Sequence, residues 1–308
     1  MRNAAHSFER SGYAAALGAY VIWGFLPLYL LLVRSVPPFE FVGWRIIFTL
    51  PICLAIVAAR RQVPILQEAL RQPRVVGWLC VSALLIGANW LVYVWAIQTG
   101  HVFAASLGYY INPLLNVLLG TVFLKERLTR LQWGAVALAT AGVGILAFET
   151  LAMLGISLTL AFSFALYGLV RKQVPVGSLP GLTIESALLI VPAAAITWFY
   201  AATPQGSSFG SDPGLSLAII LGGVVTAVPL LLFALAARRL PYSTLGFVQF
   251  LAPTIVFLLG LFVFREPLRP AQLVCFLFIW SAAALFAWDL LARRRMAALE
   301  EQRRLTPS

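Results

Sequence analysis

Long apolar runs, each closed by a short polar or Gly/Pro-containing turn, follow one another along the whole chain. Ten can be drawn, at 12–33, 38–59, 75–98, 102–124, 131–149, 151–170, 180–202, 215–237, 243–264 and 270–292. A helix of 20 residues is about 30 Å long, the thickness of the hydrocarbon core of a bilayer. A soluble core could hide one such helix, not ten. The pattern therefore predicts an all-α integral membrane protein with ten transmembrane helices. The first run follows Arg2 and Arg10 much as the core of a secretory signal would. Its apolar length of about 22 residues exceeds the 7–15 of a signal core, and no small-residue cleavage site precedes the next run. It is expected to remain as a membrane span.

The pattern also repeats. Displaced by 140 residues, the chain aligns with itself without a gap: Pro113 falls on Pro253, Leu124 on Phe264, Glu126 on Glu266, Leu128 on Leu268 and Gln132 on Gln272. Solenoid repeats have periods of about 20–50 residues, so this repeat is half a protein. It divides the chain into 1–149, with helices 1–5, and 150–292, with helices 6–10, followed by a basic tail at 293–308. No loop is long enough to form a separate soluble domain. The longest lie around 60–74 and 203–214.

Charge orients the spans. With the amino terminus inside, the inner segments collect Arg2 and Arg10, Arg60, Arg61, Arg71 and Arg74, Lys125, Arg127 and Arg130, Arg171 and Lys172, and Arg238 and Arg239. The tail adds Arg293, Arg294, Arg295, Arg303 and Arg304. Outer loops hold only Arg34, Arg265 and Arg269. This bias places both termini in the cytoplasm. Because each half has five helices, Lys125-Glu126 then faces inward and its counterpart Arg265-Glu266 outward. The halves are expected to be inverted, the usual construction of secondary transporters that hold a substrate near the membrane midplane.

Composition removes other classes. Apolar residues make up 61% of the chain and charged residues 11%, against about 25% charged in a soluble domain. The net charge of +11 reads as a topogenic signal that also meets anionic lipid heads, not as a nucleic-acid surface. Cys53, Cys80 and Cys275 all fall within spans, so no disulfide is expected. The two histidines, His6 and His101, lie in a terminus and a turn, and no Walker A loop is present. The sequence thus predicts no catalytic set, no metal site and no cofactor. A membrane-embedded enzyme acting on a lipid-linked substrate is the rival reading. It requires an acid, His or metal cluster at one interface, which the sequence lacks.

Candidate site residues are the polar groups at membrane depth, which are expensive there. Arg45 in the second span and Glu185 in the seventh are the ionisable pair, 140 residues apart. Each either lines a cavity, Arg45 offering its guanidinium to a substrate carboxylate, or snorkels toward an interface. Tyr109, Asn112 and Asn116 share one face of the fourth span beside Pro113, and Gln249 occupies the position equivalent to Tyr109. Asn89, Trp90 and Tyr93 share the third span. These side chains either bind substrate or hydrogen-bond between helices.

The chain resembles the drug/metabolite transporter superfamily, specifically the RarD-like branch of the EamA-type permeases. The resemblance covers nearly the whole sequence. It is carried by Trp23-Gly24, Pro27-Leu28-Tyr29, Arg45, Asn89-Trp90, the run Gly108-Tyr109-Tyr110-Ile111-Asn112-Pro113-Leu114, Glu126-Arg127-Leu128, Ser163, Tyr167-Gly168, Gln249, Ala252-Pro253-Thr254 and Glu266-Pro267-Leu268. It implies two inverted EamA repeats and export of small metabolites or drugs across a bacterial inner membrane. RarD-like permeases carry a chloramphenicol-related label, and neighbouring branches export amino acids. The expected protein is a multi-pass exporter of amino acids, similar zwitterionic or amphipathic metabolites, or drugs. Its expected partners are a small-molecule substrate and the lipid bilayer, with no nucleic acid, and its expected state is a monomer or weak homodimer.

Overall fold

The computed structural model describes residues 2–99, 101–148, 151, 154–265 and 267–305. Gly100 in the turn after the third span, the 149/150 boundary between the expected halves, and Glu266 lie outside the described residues. The described regular structure is helical: α1 (Arg2–Leu30), continued by a 3₁₀ turn at Leu31–Val33, α2 (Pro38–Ala59), α3 (Val63–Leu70), α4 (Pro73–Gln98), α5 (Val102–Val122), α6 (Arg130–Phe148), α7 (Leu154–Gln173), α8 (Ser178–Ala201), α9 (Pro213–Arg239), α10 (Tyr242–Gln249), α11 (Leu251–Phe262) and α12 (Pro270–Leu305). Among the described residues nine helical stretches are long and apolar enough to cross a membrane. The 21-residue α5 lies between the third and fourth of them.

Helix starts follow the local chemistry. Pro38, Pro73 and Pro213 occupy first-turn positions, where the missing N–H costs nothing, and the Asp212 carboxylate accepts from Leu215 N at 2.7 Å as an N-cap. The repeat-related prolines Pro113 and Pro253 behave differently. α5 runs through Pro113, whereas the ninth span breaks at Phe250 into α10 and α11. Pro253 has no N–H to give the Gln249 carbonyl one turn earlier, so the ladder lapses there.

Two segments depart from the sequence reading. The stretch at 60–74, expected as a loop, contains α3, whose Ala69 and Leu66 pack on Val75, Leu79 and Ile184. The stretch after residue 292, set apart in the sequence as a basic tail, continues α12 as far as Leu305.

Helix starts in the two parts of the chain fall 140 residues apart: Pro38 and Ser178, Pro73 and Pro213, Val102 and Tyr242, Arg130 and Pro270. The turns that close α5 and α11 match as well. Lys125 and Arg265 both take left-handed backbone, at φ 55° and 54°. Packing follows the same correspondence. α1 on α9 is matched by α7 on α4, α2 on α9 by α8 on α4, and α1 on α10–α11 by α7 on α5. α2 meets its counterpart α8, α5 meets α10, and α6 meets α12. The α5–α10 crossing needs Gly246, where a Cβ would stand 2.6 Å from the Pro113 carbonyl oxygen.

Where α1, α7 and α9 cross, Tyr20, Trp23, Phe164, Tyr167 and Phe233 form an aromatic core with ring centroids 5.1–6.4 Å apart. The outer surface is apolar, with Phe148, Val191, Trp198, Phe262 and Trp288 all exposed, as a bilayer requires. The 203–212 segment folds back onto α2. Phe209 packs on Trp44 and Phe48, at 4.6 and 5.3 Å. Buried Glu40 accepts from Ser207 Oγ, Ser208 N, Ser208 Oγ and Trp44 Nε1 at 2.6–3.1 Å.

Candidate functional site

Arg45 sits two turns into α2. Its guanidinium carbon lies 4.4 Å from the centroid of the Trp90 ring on α4, a cation–π distance. Tyr29 from α1, Tyr93 from α4 and Tyr109 from α5 all lie within electrostatic reach of that charge. Tyr93 and Tyr109 meet edge to face at 5.7 Å, and the Tyr29 hydroxyl donates to Ala218 O at 2.7 Å. Arg45 Nε is buried and donates to no acceptor, and none of the ion pairs among the described residues includes Arg45. Tyr109 is exposed, with 44% of its surface accessible, while Arg45, Trp90 and Tyr93 are half-buried. Such a site presents an unpaired guanidinium, π faces and phenol hydroxyls.

Four of the nine residues singled out from the sequence therefore come together: Arg45, Trp90, Tyr93 and Tyr109. Tyr29 completes them; the sequence named it only within the Pro27-Leu28-Tyr29 run of the family resemblance.

Asn112, Gln249 and Asn89 are placed elsewhere. Asn112 is 1% exposed; its Nδ2 donates to Ala161 O at 2.7 Å and its Oδ1 accepts from Gln249 Nε2 at 2.6 Å. Asn116 Nδ2 donates to Gln249 Oε1 at 2.7 Å. The three amides form a buried knot joining α5, α7 and α10. Asn89 Nδ2 donates to Leu160 O and Ser163 Oγ on α7, at 2.8 and 2.9 Å. These contacts hold helices together, and the face shared by Tyr109 and Asn112 divides between an accessible ring and a buried amide.

Glu185 forms a third group. It accepts a short hydrogen bond from Ser82 Oγ on α4 and lies 3.6 Å from Arg171 Nε on α7, both side chains essentially buried. Arg171 Nη2 donates to Ser178 O at 2.9 Å. Its place at the end of an apolar run made Arg171 read as a loop charge, and the structure instead draws it fully inside. Gly181 makes the room, since a Cβ there would stand 2.0 Å from Arg171 Nη1.

Several polar contacts close the end of the bundle that holds Arg171. The Glu126 carboxylate accepts from Tyr242 N, Ser243 N and Ser243 Oγ at 2.6–2.9 Å, an anion at the N-terminus of α10. Lys172 Nζ donates to Ala237 O and Leu240 O, a cation on the C-terminal carbonyls of α9. Arg238 donates to Val174 O and Val176 O. A separate crevice of about 370 Å³ between α1, α10, α11 and α12 is lined almost wholly by apolar side chains and lacks this chemistry. Among the described residues no cluster has the composition of a metal site.

Comparison with known proteins agrees with this architecture. Residues 10–148 match the EamA-like transporter family. The chain is 44% identical over 281 residues to an uncharacterized transporter of Pseudomonas aeruginosa, covering 91% of this chain and 94% of the relative. It is 43% identical over 287 residues to Protein RarD of Escherichia coli, covering 93% and 97%. A P. aeruginosa protein named chloramphenicol-sensitive protein RarD is 31% identical over 283 residues, covering 90% and 94%. A solved crystal structure superposes with a TM-score of 0.70 at 21% identity, covering 93% of this chain and 99% of the other, and shows the same fold. The chain belongs to the EamA-like transporter family of the drug/metabolite transporter superfamily, as a RarD-like multi-pass membrane transporter.

Proposed function

We propose that the protein exports small amphipathic or zwitterionic molecules, amino acids or drug-like compounds, across a bacterial inner membrane by alternating access. The single observation that carries the substrate class is the Arg45 guanidinium. It is held over Trp90 beside Tyr29, Tyr93 and Tyr109, with no ion pair to a carboxylate among the described residues. An unpaired cation at membrane depth is costly, and a substrate carboxylate satisfies it through two parallel hydrogen bonds. The surrounding rings suit an apolar or aromatic body.

Ten spans arranged as two inverted halves, 1–149 and 150–292, are the architecture we infer, with α5 as the fourth span. The matched helix starts and matched packing pairs support it, as does the positive-inside distribution of Lys and Arg. In that orientation the Arg45 cluster lies in the outer half of the membrane. The amide knot, the Arg171–Glu185 pair and the Glu126 contact lie toward the cytoplasm. An accessible outer cluster over a closed inner end is the outward-facing member of an alternating-access pair, the state in which an exporter releases cargo.

Counterflow in proteoliposomes tests the reading. Vesicles preloaded with single amino acids, their amides or chloramphenicol are assayed for accelerated entry of the labelled compound. A carboxylate-bearing amino acid exchanging faster than its amide supports the assignment. Equal rates for acid and amide overturn the role of Arg45, and no exchange with any compound overturns the substrate class.

A further inference from the structure

We propose that Glu185 is a proton-binding site, loaded through the small cavity beside Trp90, and that its neutralisation releases Arg171 and loosens the closed end of the bundle. The inference deepens the transport reading by naming a coupling ion at a second site, and its first test requires no substrate.

Position comes first. A cavity of about 10 Å³ is lined by Ile46, Thr49, Ile86, Trp90, Glu185 and Ser186, among others, room for about one water molecule. Trp90 is also the ring under Arg45. One tryptophan therefore separates the substrate cluster from the carboxyl, and the cavity gives a proton its way to Glu185.

Bonding at the pair is incomplete. Glu185 Oε2, Arg171 Nε and Arg171 Nη1 are buried with no hydrogen-bond partner, although buried polar groups are nearly always paired. A purely structural ion pair gains its place through full hydrogen bonding, and even then contributes little net stability. This one keeps a carboxyl oxygen free to take a proton.

The groups facing Glu185 are few. They are Arg171 and Tyr167 on α7, Ser82 on α4 and Cys53 on α2. Arg171 is the one cation among them, and Glu185 is its one acid. Arg171 also interacts with like-charged Arg238 on α9, and Lys172 adjoins it.

The step balances simply. A hydronium ion in the cavity passes its proton to a carboxylate oxygen and leaves water, and no other bond changes. Arg171 then faces Arg238 with only the Ser178 carbonyl as acceptor. Repulsion between the two guanidiniums acts where Arg238 grips Val174 and Val176, at the turn joining α7 to α8. Proton binding from the outer side and opening of the inner side become one event.

Infrared spectroscopy on the purified full-length protein in lipid tests the site. Lowering the pH is expected to raise a protonated-carboxyl band that Glu185→Gln loses. Ser82→Ala, which keeps the carboxyl and removes one hydrogen-bond donor, is expected to retain the band at a shifted frequency. A band that survives Glu185→Gln, or one that Ser82→Ala leaves unmoved, overturns the assignment. Should Glu185→Gln not fold, the Ser82→Ala shift alone decides. The opening is read from Val176→Cys in inside-out vesicles with a membrane-impermeant thiol reagent. Labelling is expected to rise as pH falls through the midpoint of the band; labelling indifferent to pH overturns the coupling while leaving the transport reading intact.

Discussion

Asn112 and Gln249 should be energetically coupled in the folded protein without any substrate present. The structure gives them a 2.6 Å bond from Gln249 Nε2 to Asn112 Oδ1, with Asn112 Nδ2 at 2.7 Å from Ala161 O and Asn116 held at 2.7 Å from Gln249 Oε1. Asn112→Ala strands the buried Gln249 amide and removes a second hydrogen bond from the Ala161 carbonyl, which keeps its in-helix partner. In water-soluble proteins a stranded buried group costs about 1–3 kcal/mol. Between membrane helices the measured average per hydrogen bond is about 0.6 kcal/mol, because separated helices also find partners. We expect Asn112→Ala to lose about 1–3 kcal/mol. A double-mutant cycle with Gln249→Ala should return a coupling of about 1 kcal/mol, since either substitution alone already breaks the shared bond. Reversible unfolding by SDS in mixed micelles measures all four species. Strictly additive losses would refute the knot and return Asn112 to the cavity wall.

Further outcomes follow from the same contacts. Gly181→Ala places a Cβ 2.0 Å from Arg171 Nη1 and 2.7 Å from its guanidinium carbon; the side chain must move, and thermal unfolding in detergent should register a loss of about 1–3 kcal/mol. Glu126→Gln weakens the three contacts at the start of α10 and should cost about 1 kcal/mol in the same assay. Asp212→Cys should react with an impermeant thiol reagent on intact cells while Glu68→Cys on α3 does not, and the reverse pattern would overturn the proposed orientation.

What the sequence made legible was whatever depends on local or repeated pattern. Apolar runs located nine spans among the described residues to within a few residues, because a helix in lipid must satisfy its backbone internally over a fixed length. The 140-residue offset reappears in helix starts as exact as Val102 and Tyr242. Arg45 was visible because a lone charge inside an apolar run has few explanations. Arg171 was hidden for the opposite reason: at the end of a run it looks like any orienting charge, and only the approach of α8 at Gly181 shows it is buried. Asn112 and Tyr109 are three residues apart on one helix face, and Asn112 meets α7 and α10 while Tyr109 stays accessible beside Tyr93. Periodicity cannot resolve that difference, which depends on how neighbouring helices are placed.

Arg45 carries the central claim, and substituting lysine isolates it. Lysine keeps the charge but cannot reproduce the planar pair of donors. Losing a charged, bidentate contact costs about 1.5–3 kcal/mol, or roughly one to two orders of magnitude in affinity. The decisive measurement is the half-saturating concentration of a transported carboxylate and of its amide in proteoliposomes, for the wild type and Arg45→Lys side by side. The account predicts a rise of ten- to a hundredfold, as an order of magnitude, for the carboxylate and little change for the amide. Equal affinities of the two proteins for the carboxylate would make Arg45 an anchor between helices and contradict the account.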